Sequence, residues 1–158
     1  MTVNDSTVED PLALENQVCF ALAVASRSVV ALYRPILTPM GLTHPQYLVM
    51  LALWQHAPLA VKDLSALLQL DPATLSPLLK RLEAAGLVHR RRSPDDERVL
   101  TVSLTAAGQE LRVQAKKVPF QVVRRLGIGF EELRQLNVVL GRVIDAAVQA
   151  GAAEAEPA

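Results

Sequence analysis

The chain has 158 residues, no formal net charge, 51% hydrophobic residues and 20% charged residues. This composition excludes a disordered or fibrous protein, and the length is enough for one domain with its own core. No run of 18 apolar residues is present, and no basic segment followed by an apolar stretch comes after Met1. We therefore expect neither a membrane span nor secretion.

Apolar periodicity and helix-breaking residues predict two helices at the start of the chain. Apolar residues at spacings of three and four predict an amphipathic first helix over about 17–37, and Gly41 follows as a break. A second helix is predicted over about 46–56, with Thr43 or His44 at its cap and a proline at its first position.

Two further helices form a closely spaced pair in the middle of the chain. The third is predicted over about 61–69 and the fourth over 72–85, where Gly86 ends it. Asp71 before a proline makes a cap for the fourth helix, although a serine before Pro77 offers a second possible start. The residues expected to face the core are Leu64, Leu67, Leu68, Leu75, Leu78, Leu79 and Leu82.

A basic β-hairpin follows the fourth helix. Strands are predicted at about 87–92 and 99–104, on either side of the polar turn 93–97. Four arginines lie within nine residues of this hairpin, whereas several of the balancing acidic residues lie near the chain ends. A local basic edge on a neutral body is enough to bind phosphates.

Two helices complete the predicted elements. Thr105 is expected to cap a fifth helix that runs to about residue 126 with a kink at Val118-Pro119, and a sixth helix covers about 131–147. The first helix, the end of the fifth and the sixth carry wide apolar faces. We expect these faces to be buried against a second copy in an obligate homodimer, with packing on their own domain as the alternative.

The order of helix, turn, helix and basic hairpin predicts contacts with both grooves of duplex DNA. The fourth helix carries hydroxyls and cations away from its leucines, which suits base-edge and phosphate contacts. On the hairpin, Asp96 could hold the guanidinium of Arg98 rigid in a narrow minor groove. The alternative is that these are ordinary solvated charges. The candidate DNA-binding residues are Thr74, Ser76, Pro77, Lys80, Arg81, Arg90, Arg91, Arg92, Asp96 and Arg98.

The third and fourth helices, the turn DDER and the following LTAAG resemble the winged helix–turn–helix of the MarR family of dimeric bacterial regulators. The D-x-R motif of the family's wing is matched by Asp96 and Arg98. The resemblance covers residues 14–148 and implies a mainly α fold with a small β-hairpin, bound as a homodimer to an inverted-repeat operator. The implied parts are a winged helix–turn–helix over about 43–104 and dimerisation helices over about 14–37 and 105–148. The polar or low-complexity ends separately predict flexible tails at 1–13 and 150–158.

Within that family, the motifs ENQVCFALAVASR, YRPIL and GLTHPQYLVMLALW resemble the OhrR group, repressors that sense organic hydroperoxides. The resemblance assigns the reactive cysteine to Cys19 and a partner tyrosine to Tyr33, and Tyr47 is retained. Two other tyrosines of the pattern are replaced by Ala23 and His44. His44 could supply a hydrogen bond in their place.

The distance along the first helix constrains any contact between Cys19 and Tyr33. The two residues lie fourteen positions apart, which is about 21 Å at 1.5 Å per residue. They cannot touch within a straight helix. A tyrosine that bonds the thiolate must therefore come from the partner chain, and the sensor would straddle the dimer interface.

The position of Cys19 near a helix start suits a thiolate, because a helix N-terminus favours negative charge. Peroxide would convert this thiolate to a sulfenic acid. Since the chain has no second cysteine, we expect a mixed disulfide with a low-molecular-weight thiol, or overoxidation. A bulky adduct would wedge the interface open. The apolar surround that would favour organic hydroperoxides comprises Phe20, Leu22, Val24 and Leu51.

The sequence thus predicts a repressor that releases its operator when organic hydroperoxide oxidises Cys19. One lone cysteine fits a reducing cytoplasm, and we expect no enzymatic activity, cofactor, metal or membrane contact. One alternative is a repressor regulated by a small aromatic ligand in the dimer crevice, with Cys19 a bystander or an inert core residue. A one-cysteine thiol peroxidase is another, but no arginine or threonine is spaced near Cys19 as in a peroxidase-like loop.

Overall fold

Seven helices and three short strands make up the computed structural model, which describes residues 10–155, with side chains to residue 151. The described chain divides after Val118 into two units. Single-turn 3₁₀ helices at Leu14–Asn16 and Thr38–Met40 flank the first α-helix. The other elements are α1 Val18–Leu37, α2 His44–His56, β1 Leu59–Ala60, α3 Val61–Leu68, α4 Pro72–Ala84, β2 Val88–Arg92, β3 Leu100–Leu104, α5 Ala106–Ala115, α6 Val118–Leu126 and α7 Phe130–Ala155.

Helices α2, α3 and α4 contribute many of the buried residues of the first unit. The predicted stripe of α4 is confirmed, since Leu75, Leu78, Leu79 and Leu82 are all buried. On α3, Leu64 is fully buried, but Leu67 is 50% exposed, so its predicted place in the core is wrong. The reason is that a helix of eight residues contacts the core on one side only, and that side carries Leu64.

Side-chain caps fix the starts of α2 and α4. Thr43 caps α2 through a capping box, in which its hydroxyl accepts from the Gln46 N–H and the Gln46 side chain accepts from the Thr43 N–H at 2.9 Å. The Asp71 carboxylate accepts from the Thr74 N–H at 2.7 Å and caps α4. The fourth helix therefore begins at Pro72, and Pro77 lies inside it.

The three strands form an antiparallel sheet in the order β1-β3-β2, with Val88 opposite Leu104 and Arg92 opposite Leu100. We call residues 88–104 the wing. The predicted hairpin is confirmed, whereas β1 was not predicted. Two residues are too few to carry an alternating pattern, and β1 exists only through its pairing with β3.

The predicted fifth helix is two helices, α5 and α6, which are separated at Lys116 and Lys117. Pro119 lacks the N–H that would continue the α5 hydrogen-bond ladder, and it stands at the second position of α6, where a missing N–H costs nothing. The predicted cap of α5 is confirmed, because the Thr105 hydroxyl accepts from the Gly108 N–H at 3.0 Å.

In the second unit, α7 extends to Ala155 rather than ending near residue 147, because the segment after Asp145 is rich in alanine, the best helix former. The rings of Phe120 and Phe130 meet edge-on at 5.4 Å. Of the tails predicted at 1–13 and 150–158, residues 1–9 and 156–158 lie outside the described residues.

Two helices present apolar side chains to the surface of the single chain. The stretch Val18–Met40 is apolar and long enough, by length and composition, to cross a membrane, and only 11% of its most apolar window is buried. Arg27 and Arg34 interrupt this stretch, so it contains no run of 18 consecutive apolar residues. The two arginines nevertheless lower its mean hydropathy only slightly. The exposed large apolar residues of α7 are Phe130, Leu136, Val138, Val139, Val143, Ile144 and Val148.

Gly108 of α5 packs closely against the backbone of Leu87, just before the wing. A Cβ at this position would lie 2.1 Å from the backbone oxygen of Leu87, and the Gly108 carbonyl accepts from the Trp54 indole N–H at 2.8 Å. We expect Gly108→Ala to destabilise the fold by about 1–3 kcal/mol in urea denaturation, because the backbone must move to relieve the clash. Gly151→Ala on α7, where a Cβ meets nothing within 4 Å, is the matched control and should leave stability unchanged or slightly raised. Equal effects of the two substitutions would contradict this packing.

Candidate functional site

The face of α4 opposite its buried leucines carries the first group of candidate residues. All of them are exposed and lie on one helix whose other face is fixed in the core. They are Thr74, Ser76, Pro77, Lys80 and Arg81. A helix held in this way can offer hydroxyls and cations to base edges and phosphates without reorganising.

The Asp71 cap also sets the hydrogen-bonding capacity of Thr74. The Thr74 hydroxyl donates to the second carboxylate oxygen of Asp71 at 3.0 Å. Hydrogen bonds from the Thr74 N–H and hydroxyl hold the pKa of Asp71 below its usual range, so the carboxylate is ionised and can only accept. The single hydroxyl proton of Thr74 is therefore committed, and its free lone pairs can accept from an amino group of a base.

The wing is closed by hydrogen bonds around its turn. The Ser93 N–H donates to the Val99 carbonyl at 2.7 Å, and the Arg92 guanidinium donates to the Glu97 carbonyl at 2.7 Å. Arg91 and Arg92 are both exposed on β2. The turn is thus ordered by its own contacts, and exposed cations stand beside it on β2.

At the tip of the wing, the Asp96 carboxylate has a different partner from the one that the sequence suggested. It accepts from the backbone N–H of Arg98 at 3.0 Å rather than from the guanidinium. Aspartate readily bonds the backbone two residues further on, because this closes a compact turn. Asp96 therefore fixes the backbone that presents Arg98, and the Arg98 side chain is exposed.

Arg90 differs from the other arginines of the wing because it is ion-paired. Its guanidinium donates to the Glu83 carboxylate from Nε at 3.0 Å and from Nη2 at 2.8 Å, and its backbone N–H donates to the same carboxylate at 3.1 Å. These bonds hold the pKa of Glu83 below its usual range. This pair could not be predicted from the sequence, since no local spacing rule connects a helix residue to a strand residue beyond a glycine turn.

Cys19 is the second residue of α1 and is exposed. Tyr33 lies fourteen residues further along the same helix, which is about four turns, so both residues are on the same side of α1. Of the apolar residues predicted to surround the thiol, Phe20, Leu22 and Leu51 are 37–40% exposed in the single chain. The chain alone thus leaves the sulfur uncovered.

Four rings, which we call the ring cluster, connect α1 to α2. Tyr33 meets His44 edge-on at 5.1 Å and Tyr47 at 5.9 Å, and Tyr47 meets Trp54 at 6.5 Å. Trp54 in turn donates to Gly108 at the start of α5. His44 therefore packs against Tyr33, although His44 stands at a position where the OhrR pattern has a tyrosine.

Burial sets the protonation of the ring cluster. It raises the pKa of Tyr33, and together with the neighbouring Tyr33 it raises the pKa of Tyr47 to about 12. Burial also lowers the pKa of His44, so its imidazole is neutral at pH 7. Both phenols keep their protons at neutral pH and are able to donate a hydrogen bond to an anion.

A cavity of about 320 Å³ lies beside the ring cluster. It has an apolar wall and two groups, Arg34 and His44, that could bind a polar or anionic ligand. Its lining residues are Val30, Arg34, Thr38, Leu42, Thr43, His44 and Pro45.

The geometry defines a class of protein. A helix–turn–helix whose second helix exposes hydroxyls and cations, followed by a basic antiparallel wing, is the architecture of winged-helix DNA-binding regulators.

Comparison with known proteins gives the family. The model of the MarR family matches residues 42–100. The organic hydroperoxide resistance transcriptional regulator of Bacillus subtilis is 40% identical over 136 residues, which cover 86% of this chain and 92% of that protein. The transcriptional regulator MgrA of Staphylococcus aureus is 36% identical over 140 residues, covering 88% and 95%. The chain therefore belongs to the MarR family of transcriptional regulators.

Solved structures support the same assignment. The reduced form of AbfR, a protein of Staphylococcus epidermidis, has been solved bound to DNA. It superimposes with a TM-score of 0.69 at 33% identity, covering 85% of this chain and 94% of that one. The predicted winged helix–turn–helix fold is confirmed.

Proposed function

We propose that this regulator is a homodimeric repressor that releases its operator when an organic hydroperoxide oxidises Cys19. The observation that carries the proposal is the position of the sulfur. It is exposed in the first turn of α1, on the same side as a protonated Tyr33 that belongs to the ring cluster. The name of the Bacillus subtilis relative, an organic hydroperoxide resistance regulator, supports the choice of oxidant.

A second copy of the chain is the proposed cover for the exposed apolar residues of α1 and α7. Exposed apolar surface on this scale is rare in a monomer, and isologous dimers bury the same patch twice. Cys19 and Tyr33 are about four helical turns apart, so an antiparallel approach of two α1 helices would bring each sulfur to the partner's Tyr33. The sensor then requires both copies.

The DNA contacts follow from the two exposed basic surfaces. We expect α4 to enter the major groove through Thr74, Ser76, Pro77, Lys80 and Arg81, and Arg91, Arg92 and Arg98 to contact phosphates and the minor groove. A homodimer presents two such surfaces and therefore suits an inverted repeat. The expected location is the cytoplasm, where operator DNA and reduced thiols coexist.

The proposed chemistry needs the thiolate, the peroxide and, for its second step, a low-molecular-weight thiol. The Cys19 sulfur attacks the outer peroxide oxygen, an S–O bond forms, the O–O bond breaks, and the departing alkoxide takes a proton to give an alcohol. The sulfenic acid then reacts with a low-molecular-weight thiol, which releases water and leaves a mixed disulfide. Tyr33 retains its proton, and the phenol of the partner subunit's Tyr33 can stabilise the thiolate or sulfenate by donating to it, while Tyr47 packs behind Tyr33.

The contacts of the ring cluster support a route from the sulfur to the wing. An adduct that displaces α1 would move Tyr33, which packs on Tyr47, and Tyr47 packs on Trp54. The Trp54 indole donates a hydrogen bond to the Gly108 carbonyl, and Gly108 packs against the carbonyl of Leu87, the residue just before the wing. Packed interiors transmit such shifts because they do not deform continuously.

The mass of the intact protein tests the chemical step. After treatment of reduced protein with cumene hydroperoxide, we expect one added oxygen, and with a low-molecular-weight thiol also present, the mass of that thiol less two hydrogens. Operator release, measured on the same samples, should follow the second species. Release without any change of mass would contradict the proposal.

The cavity beside His44 favours a second candidate function, release by a small aromatic acid. Arg34 could pair with a carboxylate while Val30 and Leu42 contact a ring. In that case Cys19 is a bystander, and release requires the ligand rather than an oxidant. Release of DNA by the Cys19→Ser variant separates the two candidates.

A further inference from the structure

The junction between α4 and the wing is a short turn with one positive-φ residue. Gly86 has φ +73°, which a side chain would disfavour, and it connects the end of α4 to Leu87. The Leu87 N–H donates to the Leu82 carbonyl at 3.0 Å, and the Thr105 hydroxyl donates to the Gly86 carbonyl at 2.6 Å. These bonds hold the backbone of the turn but do not join the side chains of α4 to β2.

Glu83 and Arg90 supply that connection. Three hydrogen bonds from Arg90, one of them from its backbone, converge on the Glu83 carboxylate. The Arg90 side chain is 24% exposed and that of Glu83 is 37% exposed. Charge-assisted, forked bonds of this kind fix both distance and orientation.

The alternation of β2 explains why Arg90, and not its neighbour, is paired. Val88 and Arg90 lie on the side of the strand that faces α4, since residues two apart on a strand share a face. Val88 is buried and Arg90 half-buried, whereas Arg91 is exposed. Arg91 is thus a matched comparison with the same chemistry one position away.

We propose that Glu83 is a positioning residue for DNA recognition. By binding Arg90 it sets the angle of the wing to α4, and it withholds one cation of the wing from the phosphates. The proposal rests on DNA binding by this chain, not on peroxide sensing, and it assigns Arg90 a different role from the phosphate contact that the sequence suggested.

Two opposite consequences follow from removing the Glu83 charge. The wing loses its fixed angle, so simultaneous contact with the major and minor grooves of the operator becomes less favourable. At the same time the freed Arg90 can reach a phosphate, and each added phosphate contact steepens the salt dependence of binding. A role in folding stability alone would change neither the salt dependence nor the discrimination between DNA sequences.

The test compares Glu83→Gln, Arg90→Gln and Arg91→Gln by fluorescence anisotropy, with the reduced full-length protein on operator and on random-sequence duplex over a range of salt. Arg91→Gln should lower the slope of log affinity against log salt by about 0.9 per protomer, and Arg90→Gln should leave it unchanged. Glu83→Gln should bind random duplex more tightly with a steeper slope, and its preference for operator should fall by about tenfold or more.

The double variant Glu83→Gln/Arg90→Gln separates the two effects. It should return random-duplex binding to the wild-type value while the preference for operator stays low. The proposal is overturned if Arg90→Gln lowers the slope as Arg91→Gln does, or if Glu83→Gln leaves random-duplex binding and preference unchanged. Wild-type protein that binds no duplex at all would overturn DNA binding and this proposal together, whereas failure of peroxide sensing would leave these measurements untouched.

Discussion

Cys19→Ser should bind operator DNA as the unmodified protein does and should lose all release by organic hydroperoxide. Serine has nearly the same size and the residue is exposed, so neither fold nor wing should change. A hydroxyl is not ionised at neutral pH and does not attack a peroxide, whereas a thiolate does. The measurement is operator release in an anisotropy titration with cumene hydroperoxide, at a fixed concentration of low-molecular-weight thiol.

The matched control for this prediction moves the thiol instead of removing it. Ala66 is exposed on α3, far along the chain from α1, and Cys19→Ser/Ala66→Cys keeps one cysteine per chain. Because Ala66 lies in the last turn of α3, where no helix N-terminus favours a thiolate, this variant keeps one thiol per chain but should not release DNA on treatment with peroxide. Undiminished release by Cys19→Ser would rule out redox sensing and leave the ligand-binding cavity as the site of regulation.

Features fixed by neighbouring residues were predictable from the sequence. The leucine stripe of α4, the Thr43, Asp71 and Thr105 caps and the paired strands of the wing all depend on spacings of two to four residues. The same reasoning predicted a kink at Val118-Pro119, whereas α5 already ends at Ala115. Local rules are sufficient where the spacing along the chain allows only one hydrogen-bonding or packing partner.

Features fixed by distant contacts were not predictable. The strand β1 exists only because β3 lies beside it, and Leu67 is exposed because its short helix touches the core on one side. The Glu83–Arg90 pair spans a helix end, a glycine turn and a strand start. Asp96 could bond either the Arg98 backbone or its side chain at the same sequence spacing, and only the folded turn decides between them.

Within the candidate site, the resemblance to OhrR repressors indicated Cys19, Tyr33 and Tyr47. The fold shows which side chains pack beside these tyrosines, which the sequence does not specify. His44 packs edge-on against Tyr33 despite replacing a tyrosine. Trp54 connects the ring cluster to Gly108. Their roles depend on α1, α2 and α5 meeting in space, which no spacing along the chain specifies.

Arg98→Ala should weaken operator binding by at least about 30-fold while leaving the fold and the proposed homodimer intact. The Asp96 carboxylate bonds the Arg98 backbone, so the turn should survive loss of the side chain. An arginine that contacts a base edge is worth about 1–3 kcal/mol, and a dimer loses two such contacts. Anisotropy titrations at several salt concentrations measure the loss, and the salt slope should fall by about 0.9 per protomer.

Arg98→Lys separates charge from shape at the same position. Lysine keeps the cation, so the salt slope should stay near the wild-type value, but it lacks the planar fork that fits a narrow groove, so affinity should recover only in part. Sedimentation should give the same dimer for all three proteins, since the wing tip is remote in sequence from the apolar faces of α1 and α7. Unchanged affinity of Arg98→Ala at moderate salt would show that the wing does not enter the minor groove, and the binding energy would then have to come from α4, Arg91 and Arg92.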